Sequence, residues 1–600
     1  MGIPHLYTHL RPYAHPETFP PSPPAPPTPL FIDGPGLAHH VYQLALCSTP
    51  QASGNPWDAA LSYSTFQTAL IRYLDELSAA QLHIRKIYFD GHLPASKRPT
   101  RHSRLDDALR RLKSYHSLHA HSLPTRATPP PPSAPAFTQH AVCTPRTTPL
   151  SAPPFILSAT IDALTSHATY TSTVSTVPAE AESYCARDAI NTGGIVLTGD
   201  SDLLLFAAAP QQQQQNNGWG VIMFRDVTLT FPGAVCVVFR PCAIAGTLGV
   251  DLAFLGYLLQ ADPHATFPVL QQRVRRIEER KRSGVAVGEY GKGWREFRAV
   301  YELPGEGEGG EGGGGVEPRI AELLDSRGRG EEGQGEGEAG RMWLPFLWED
   351  PGRGSAWDAG RAVRAGAYGL VFKEGVMEVC RRGQRISEAF IRSMESAGVL
   401  KRLVRGGEDH WWVRTIVEDV VGVYEDRGQT PPERSLLEGL AYMLSASSSP
   451  TAVAERSGPR RWTWEKVQVF AMAQAAWYSL LVLKEVLAAT GKDQFEAFPS
   501  VAECIDGSRF LDGVTLAGEN EKKVVREVMA AYYARIRNAD DGEDIDIDTP
   551  GNGNGKRSSS RELLAGASSE KKKKKRGKGK KLGESSNTVD TGNIFEVLAD

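Results

Sequence analysis

VPAEAESYCARDAINTGGIVLTGDSDLLLF, from Val177 to Phe206, is the stretch that decides how the chain is read. Four of its carboxylates fall in two pairs, Glu180/Glu182 and Asp200/Asp202. Pro178 suits the first position of a helix, where its missing N–H costs nothing. The spacing predicts a helix from there to about Ile190, ended by Asn191-Thr192-Gly193-Gly194. Ile195-Val196-Leu197 then reads as a short buried strand, with Asp200 and Asp202 just past its carboxyl end. In open parallel sheets that edge is where ligands bind. One pair therefore starts a helix and the other follows a neighbouring strand. If the two ends meet, four negative charges converge, with no basic residue inside either pair. Such a cluster repels itself in a partly dry cleft, and divalent cations are the usual remedy. The alternative is four solvated acids in loops. It sits poorly with an Asp-x-Asp held between an apolar strand and Leu203-Leu204-Leu205-Phe206.

Working outward, two more strands end in acids. Pro29-Leu30-Phe31-Ile32-Asp33 is followed by Gly34-Pro35-Gly36 and a helix through Leu37, Val41 and Leu44. Ile84 to Asp90 is the second, followed by Gly91-His92-Leu93-Pro94 and a basic helix from about Arg101 to Ser114. Between them, Phe66, Leu70, Tyr73 and Leu77 have helical spacing. Residues 16 to 29 are crowded with proline and read as a loop, and residues 118–154 as a proline-rich insertion without regular structure. Val221 to Phe224 and Ala234 to Phe239 are strand candidates, and Val250 to Ala261 a helix ending at Asp262-Pro263. Strands alternating with helices, with acids at the strand ends, predict an α/β fold with a mostly parallel sheet.

The remaining organisation follows from composition. Residues 1–300 form the α/β domain, and 301–340 a Gly/Glu-rich linker. Residues 341–538 read as an all-α domain: Ile386, Phe390 and Met394, then Ile416, Val420 and Val423, then Val467, Phe470, Ala471, Ala475, Tyr478 and Leu481 recur at helical spacing. Residues 539–600 are a charged, basic tail expected to be disordered. Its Lys571-Lys572-Lys573-Lys574-Lys575-Arg576 run reads as a nuclear localisation signal. Asn593 to Leu598 is a candidate docking peptide.

The chain's net charge of −3 says nothing of partners, but its distribution does. From Arg85 to Lys113 there are nine Lys/Arg and three Asp, which suits a polyanion binder. Seven cysteines, none in Cys-x-x-Cys, argue against a zinc site or a disulfide framework and fit a reducing compartment. A secretory signal and an apolar run long enough to span a bilayer are both absent from this reading. Leu6 breaks the myristoylation pattern after Gly2.

Taken together, MGIPHL at the start, FIDG at 31–34, FDG at 89–91, EAESYCA at 180–186 and LTGDSDLLLF at 197–206 resemble the XPG/flap-endonuclease superfamily over roughly residues 1 to 275. The WLPFLWEDPGRGSAWDAGRAVRAGAYGLV stretch at 343–371 resembles its Asteroid branch. The resemblance implies a PIN-like α/β fold and phosphodiester cleavage with two Mg²⁺ or Mn²⁺ ions held by Asp33, Asp90, Glu180, Glu182, Asp200, Asp202 and Asp262. For the last acid this chain has Gln260 and Pro263 where the family shows Gly and Tyr, and Asp251 is the fallback. Lys97 and Arg104, seven and fourteen positions past Asp90, match a family Lys and Arg over the scissile phosphate. Arg98, Arg101, Arg110 and Arg111 would hold nucleic-acid backbone, with Gly2 at the same interface. The other reading of this helix is a solvated face paired with Asp106 and Asp107.

The chemistry agrees with the resemblance. Hard cations want oxygen ligands, and two of them roughly 4 Å apart clamp the attacking and leaving oxygens of a phosphoryl displacement. Lys97 and Arg104 would offset charge growing on the phosphate. His39 and His40 could touch a phosphate, or be a surface or capped pair. Trp343, Trp348 and Trp357 could form a stacking face, or pack a core. The proline-rich stretch stands where flap endonucleases carry a helical arch, so threading of a free strand is not expected. The resemblance therefore implies a structure-specific nuclease acting in nuclear repair, with DNA favoured over RNA as substrate. Two alternatives remain: a non-catalytic nucleic-acid or protein adaptor on the same fold, and a signalling scaffold whose partner docks on the helical domain or the C-terminal peptide. No membrane partner is expected.

Overall fold

A computed structural model describes residues 3–19, 27–48, 56–121, 123, 149–206, 218–230, 233–282, 291–305, 314–326, 340–396, 411–431 and 463–491, with a few positions between 527 and 534. Gly2, most of the proline-rich insertion, the lysine run and the C-terminal peptide lie outside them. Met1–Ala530 is one compact unit and Ala531–Asp600 another. The boundary expected at 301–340 lies inside the first.

The central sheet is built from β1 (His15–Phe19), β2 (Thr28–Asp33), β3 (Leu82–Phe89), β4 (Val174–Thr176), β5 (Ile195–Thr198), β6 (Gly220–Thr230) and β7 (Gly233–Phe239), in the order β1-β7-β6-β5-β2-β3-β4. Strands β6-β5-β2-β3-β4 run parallel, and β7 and β1 complete one edge antiparallel. The fold is α/β with a mostly parallel sheet, as the alternation of strands and helices indicated. β1 corrects the expected loop over residues 16 to 29. It is an edge strand, which is where Pro16 is tolerated, because an edge position need not donate to a neighbour on both sides.

Helices flank the sheet: α1 (Leu6–Leu10), α2 (Gly34–Ser48), α3 (Tyr63–Ala79), α4 (Arg98–Leu118), α5 (Ile156–Ser166), α6 (Ala181–Thr192), α7 (Pro241–Leu248), α8 (Leu252–Ala261), α9 (Phe267–Arg282) and α10 (Gly291–Val300). α6 begins at Ala181, three residues later than Pro178 suggested. The reason is a capping carboxylate from elsewhere in the chain, taken up below. α6 buries Tyr184, Cys185, Ala186, Ala189 and Ile190, and Gly193, with φ of 66°, closes its end.

Beyond residue 300 the expectation of an acidic linker and an all-α domain is corrected. α11 (Pro318–Asp325) stands inside the supposed linker, capped by the buried Glu317. A second sheet follows, β10-β9-β8, from β8 (Gly340–Trp343), β9 (Gly375–Arg382) and β10 (Arg385–Arg392). Ile386 and Phe390 lie in β10, not in a helix. A spacing of four residues satisfies the two-residue period of a strand as well as a helical turn, which is why the pattern misled. α12 (Arg361–Tyr368), α13 (Trp411–Asp426) and α14 (Trp464–Ala489) are helical as expected. α14 is long and apolar enough by composition to cross a bilayer, contrary to the first reading, but 94% of its apolar window is buried inside the protein. Cys47 is disulfide-bonded.

The second sheet is joined to the first half through α4. Leu109 packs with Trp343, Val379 and Ile386. Leu112 and Tyr115 pack with Trp57, Trp348, Trp464 and Val467. Trp343, Trp348 and Trp357 are all buried, so they are core and not a stacking face. The stretch 343–371 is bolted by buried ion pairs. Arg364 Nε stands 2.6 Å from Glu378 Oε1, both fully buried, and Tyr368 donates to the same oxygen at 2.9 Å. Arg381 pairs with Glu349 at 2.5 Å, both buried.

Arg364→Met should lower stability by about 3–5 kcal/mol, because Glu378 is left charged and buried with only the Tyr368 hydroxyl and the partly exposed Arg382 to offset it. Chemical denaturation followed by tryptophan fluorescence measures it. A change under about 1 kcal/mol would contradict the assignment.

Candidate active site

Three adjacent parallel strands, β5-β2-β3, deliver acids to one edge of the sheet. Asp33 is the last residue of β2, Asp90 follows β3, and Asp200 stands two residues past β5. The register pairs Asp33 with Tyr88 and Ile32 with Leu197, so these ends are level. The chain leaving β4 brings in the glutamates. Val177 N–H donates to Phe89 O at 2.9 Å, and Gly91 N–H to Ala179 O at 3.0 Å. A Cβ on Gly91 would collide with the Val177 carbonyl, so only glycine lets the two segments lie this close.

Each acid is pinned by a specific donor. Asp33 Oδ1 accepts from Gly36 N at 3.1 Å, and its Oδ2 from Thr198 Oγ1 at 3.0 Å. Thr198 Oγ1 also accepts from Asp200 N at 3.0 Å, so one hydroxyl ties two strand ends. Asp90 Oδ1 accepts from Ala181 N at 2.9 Å. It thereby caps α6 in place of Glu180, which makes no side-chain cap of its own. Asp200 Oδ1 accepts from Asp202 N at 3.0 Å. Asp202 Oδ1 accepts from Ile3 N at 2.6 Å, and its Oδ2 from Tyr301 Oη at 3.1 Å.

The electrostatics link six of the seven expected acids. Desolvation, then Asp33 and Glu180, push Asp90 up to about 6 against the pull of the Ala181 N–H. Desolvation and then Asp90, Asp33 and Glu180 hold Glu182 well above the carboxylate range. Asp33, only 7% exposed, is raised by burial and by Asp200, against the donors from Gly36 and Thr198. Burial and Asp200 push Asp202 up to about 7. Lys97 stands at the rim, its Nζ 2.9 Å from Glu180 Oε1. Although desolvation opposes it, the fields of Glu180, Glu182 and Asp200 hold its ammonium above the usual lysine value. The donor set is all oxygen, which suits Mg²⁺ or Mn²⁺ and not zinc. Among the described residues no three His, Cys, Asp or Glu side chains stand in ready metal-ligand geometry. The nest is a charge cluster, not a formed coordination sphere.

Other expected positions are placed differently. Asp262 ends α8 and pairs with Arg273 at 3.1 Å, and it figures in none of the fields acting on the nest acids. The fallback, Asp251, caps α8 by accepting from Ala253 N and Phe254 N. Arg101 is not open to a phosphate. Its Nη1 is 2.7 Å from Glu322 Oε2 of α11, and its guanidinium lies 4.7 Å from the Trp343 ring centre. Arg110 pairs with Asp107 on the same exposed face, Arg104 is exposed, and Arg98 and Arg111 are half-buried. His40 stacks on Phe224 at 4.9 Å and makes no case as a phosphate ligand. Tyr301, Thr198 and the Ile3 N–H were not foreseen. Thr198 lies inside the quoted motif, but Tyr301 stands 99 positions from Asp202, with no local signal.

The raised carboxyls set a sign. Unfolded Asp and Glu lose their protons near pH 4, whereas Asp90 and Asp202 in the fold hold theirs to about 6 and 7. Folding binds protons across that window, so without divalent ions stability falls as pH rises from about 4 to 7. Asp90→Asn should flatten that fall and cancel the rise in melting temperature that Mn²⁺ gives at pH 7.5. Scanning calorimetry in EDTA and in Mn²⁺ checks both, and a wild-type melting point unmoved by pH and Mn²⁺ would refute the repulsion.

Comparison with known proteins bears on this geometry. Residues 152–393 match the family model described as XPG domain containing. The matched span includes Glu180, Glu182, Asp200, Asp202 and Asp262, and it runs on through α11 and the second sheet. No curated protein matches the chain. The match is a likeness to the XPG/PIN-like superfamily over less than half of the chain, and the α/β sheet with acids at its carboxyl edge accords with it.

Proposed function

We propose that the protein is a metal-dependent, structure-specific nuclease of the Asteroid branch, hydrolysing phosphodiester bonds of DNA in the nucleus, with a role in repair. The observation that carries this reading is the convergence of Asp33, Asp90, Glu180, Glu182, Asp200 and Asp202 on one sheet edge with linked fields. The XPG match adds that proteins of this kind bind nucleic acid and commonly cut it.

Asp33, Asp90, Glu182 and Asp200 would hold two Mg²⁺ or Mn²⁺ ions, with Glu180 and Asp202 completing the nest. Bound ions would supply Lewis acidity and an acidified water at neutral pH. The chain's own residues do the rest. Gly36, Thr198, Ala181, Ile3 and Tyr301 hold Asp33, Asp90 and Asp202 in place before substrate arrives. Lys97 is half-exposed and can exchange Glu180 for a phosphate oxygen, offsetting charge that grows there. Arg104 stands two helical turns further along α4 and would hold the backbone beside it. Arg98, Arg110 and Arg111 add contacts along the same helix, and Arg101 steadies the helix instead of the substrate.

One set of observations favours a second reading, a non-catalytic nucleic-acid or protein adaptor. Asp262 is spent on Arg273, and Arg101 on Glu322. An adaptor need not take up metal at the nest, so calorimetric titration with Mn²⁺ separates the two.

On branched and overhanging DNA with Mg²⁺ or Mn²⁺, wild-type protein should cut and Asp200→Ala should not exceed buffer. Lys97→Ala should lower kcat by about 10²–10³ while Mn²⁺ affinity changes little. Equal cutting by wild type and Asp200→Ala, purified side by side, would refute the hydrolytic assignment.

A further inference from the structure

A second site lies on the far half of the same unit and shares no residue with the acid nest. It is a cavity of about 410 Å³ lined by the Gly352-Arg353-Gly354 loop, by Tyr424 near the end of α13 with Arg427 just past it, and by Glu465 and Gln468 in the first turns of α14. That size falls within the usual range for small-molecule pockets. Tyr424 lines the cavity and is 96% buried, yet its hydroxyl has no hydrogen-bond partner among the described residues. A buried hydroxyl left unpaired is costly unless something binds it.

The groups around that hydroxyl define what would bind. Arg353 is held by Asp350, Nε to Oδ2 at 3.3 Å, and more loosely by Glu465 at 3.8 Å. Arg427 uses one terminal nitrogen, Nη2, on Asp358 and on Ser355 O. A guanidinium has five N–H groups, so both arginines keep donors for a ligand. The carboxylates orient them and do not exhaust them. Gln468 accepts from Asp350 N and donates to Gly354 O, so it holds the loop. Glycines at 352 and 354 let the loop's backbone come close, and the Arg427 guanidinium already lies against Gly354. The amino end of the 26-residue α14 adds partial positive charge on the same side. Two guanidiniums, held in place by carboxylates, and one unpaired hydroxyl favour a multivalent oxygen acceptor.

We propose that this cavity binds a phosphate monoester of nucleotide size, with Arg353, Arg427 and Tyr424 as its donors. The ester is either a free nucleoside monophosphate or the phosphorylated end of a nucleic-acid strand.

Calorimetric titration of the full chain in EDTA, which silences any metal-dependent site, tests this. The probes are inorganic phosphate, deoxyadenosine monophosphate, and a 12-nucleotide DNA with either a 5′-phosphate or a 5′-hydroxyl. Deoxyadenosine monophosphate should bind one to one, and Tyr424→Phe should weaken it about 5- to 10-fold without lowering the ligand-free protein's melting temperature. Arg427→Gln should weaken it further. Tyr424-dependent binding of the phosphorylated strand over its hydroxyl twin would identify the source as a strand end, and its absence would leave the free nucleotide. No binding by any probe, or binding that Tyr424→Phe leaves untouched, would overturn the proposal.

Discussion

Like charges brought together and partly removed from water are the constraint that this structure is arranged to bear. Six carboxylates converge where three adjacent strands end, and burial and mutual repulsion leave Asp90, Glu182 and Asp202 holding protons far above their ordinary range. The fold answers with donors at fixed points. A threonine hydroxyl joins β2 to the turn after β5, an aspartate from β3 caps α6, and the segment before α1 meets Asp202 through a backbone N–H. The contacts Thr198–Asp33, Asp90–Ala181 and Ile3–Asp202 join residues 165, 91 and 199 positions apart, so the nest and the topology stand or fall together. A cluster this costly in the absence of cations is hard to explain as a structural device alone.

The basic helix α4 shows how the same molecule divides labour within one element. Its amino end carries Lys97 to the nest, while Arg101, one turn on, is taken by Glu322 and covered by Trp343. Further along, its apolar face is buried by the second sheet and by α14. The half of the chain beyond residue 300 therefore completes the surroundings of the site instead of hanging from it. The family match crosses the same join, from 152 to 393. Buried pairs such as Arg364–Glu378 and Arg381–Glu349 keep that half in one geometry, which is what an element that positions α4 must do.

Much of the site was legible because apolar runs that end in an acid can be read directly. Phe31-Ile32-Asp33, Ile87 to Asp90 and Leu197 to Asp200 state both the strand and the edge on which it stops. The glutamate pair was legible as residues but not as a helix start, because Asp90, ninety-one positions away, supplies the cap that shifts it to Ala181. Arg101 looked like a phosphate ligand since its partner Glu322 is 221 positions distant. Tyr301 was invisible for the same reason. Ile386 and Phe390 failed differently: their spacing serves both periods, and only pairing with β9 decides. Local signals carried the elements, and long-range pairing decided which charged groups stayed open to solvent.

The most direct measurement is anomalous diffraction from a crystal of the full chain equilibrated with Mn²⁺. The account predicts manganese peaks inside the nest, within coordination distance of oxygens of Asp33, Asp90, Glu182 and Asp200. Peaks confined to other surfaces, with the nest empty at millimolar Mn²⁺, would contradict it.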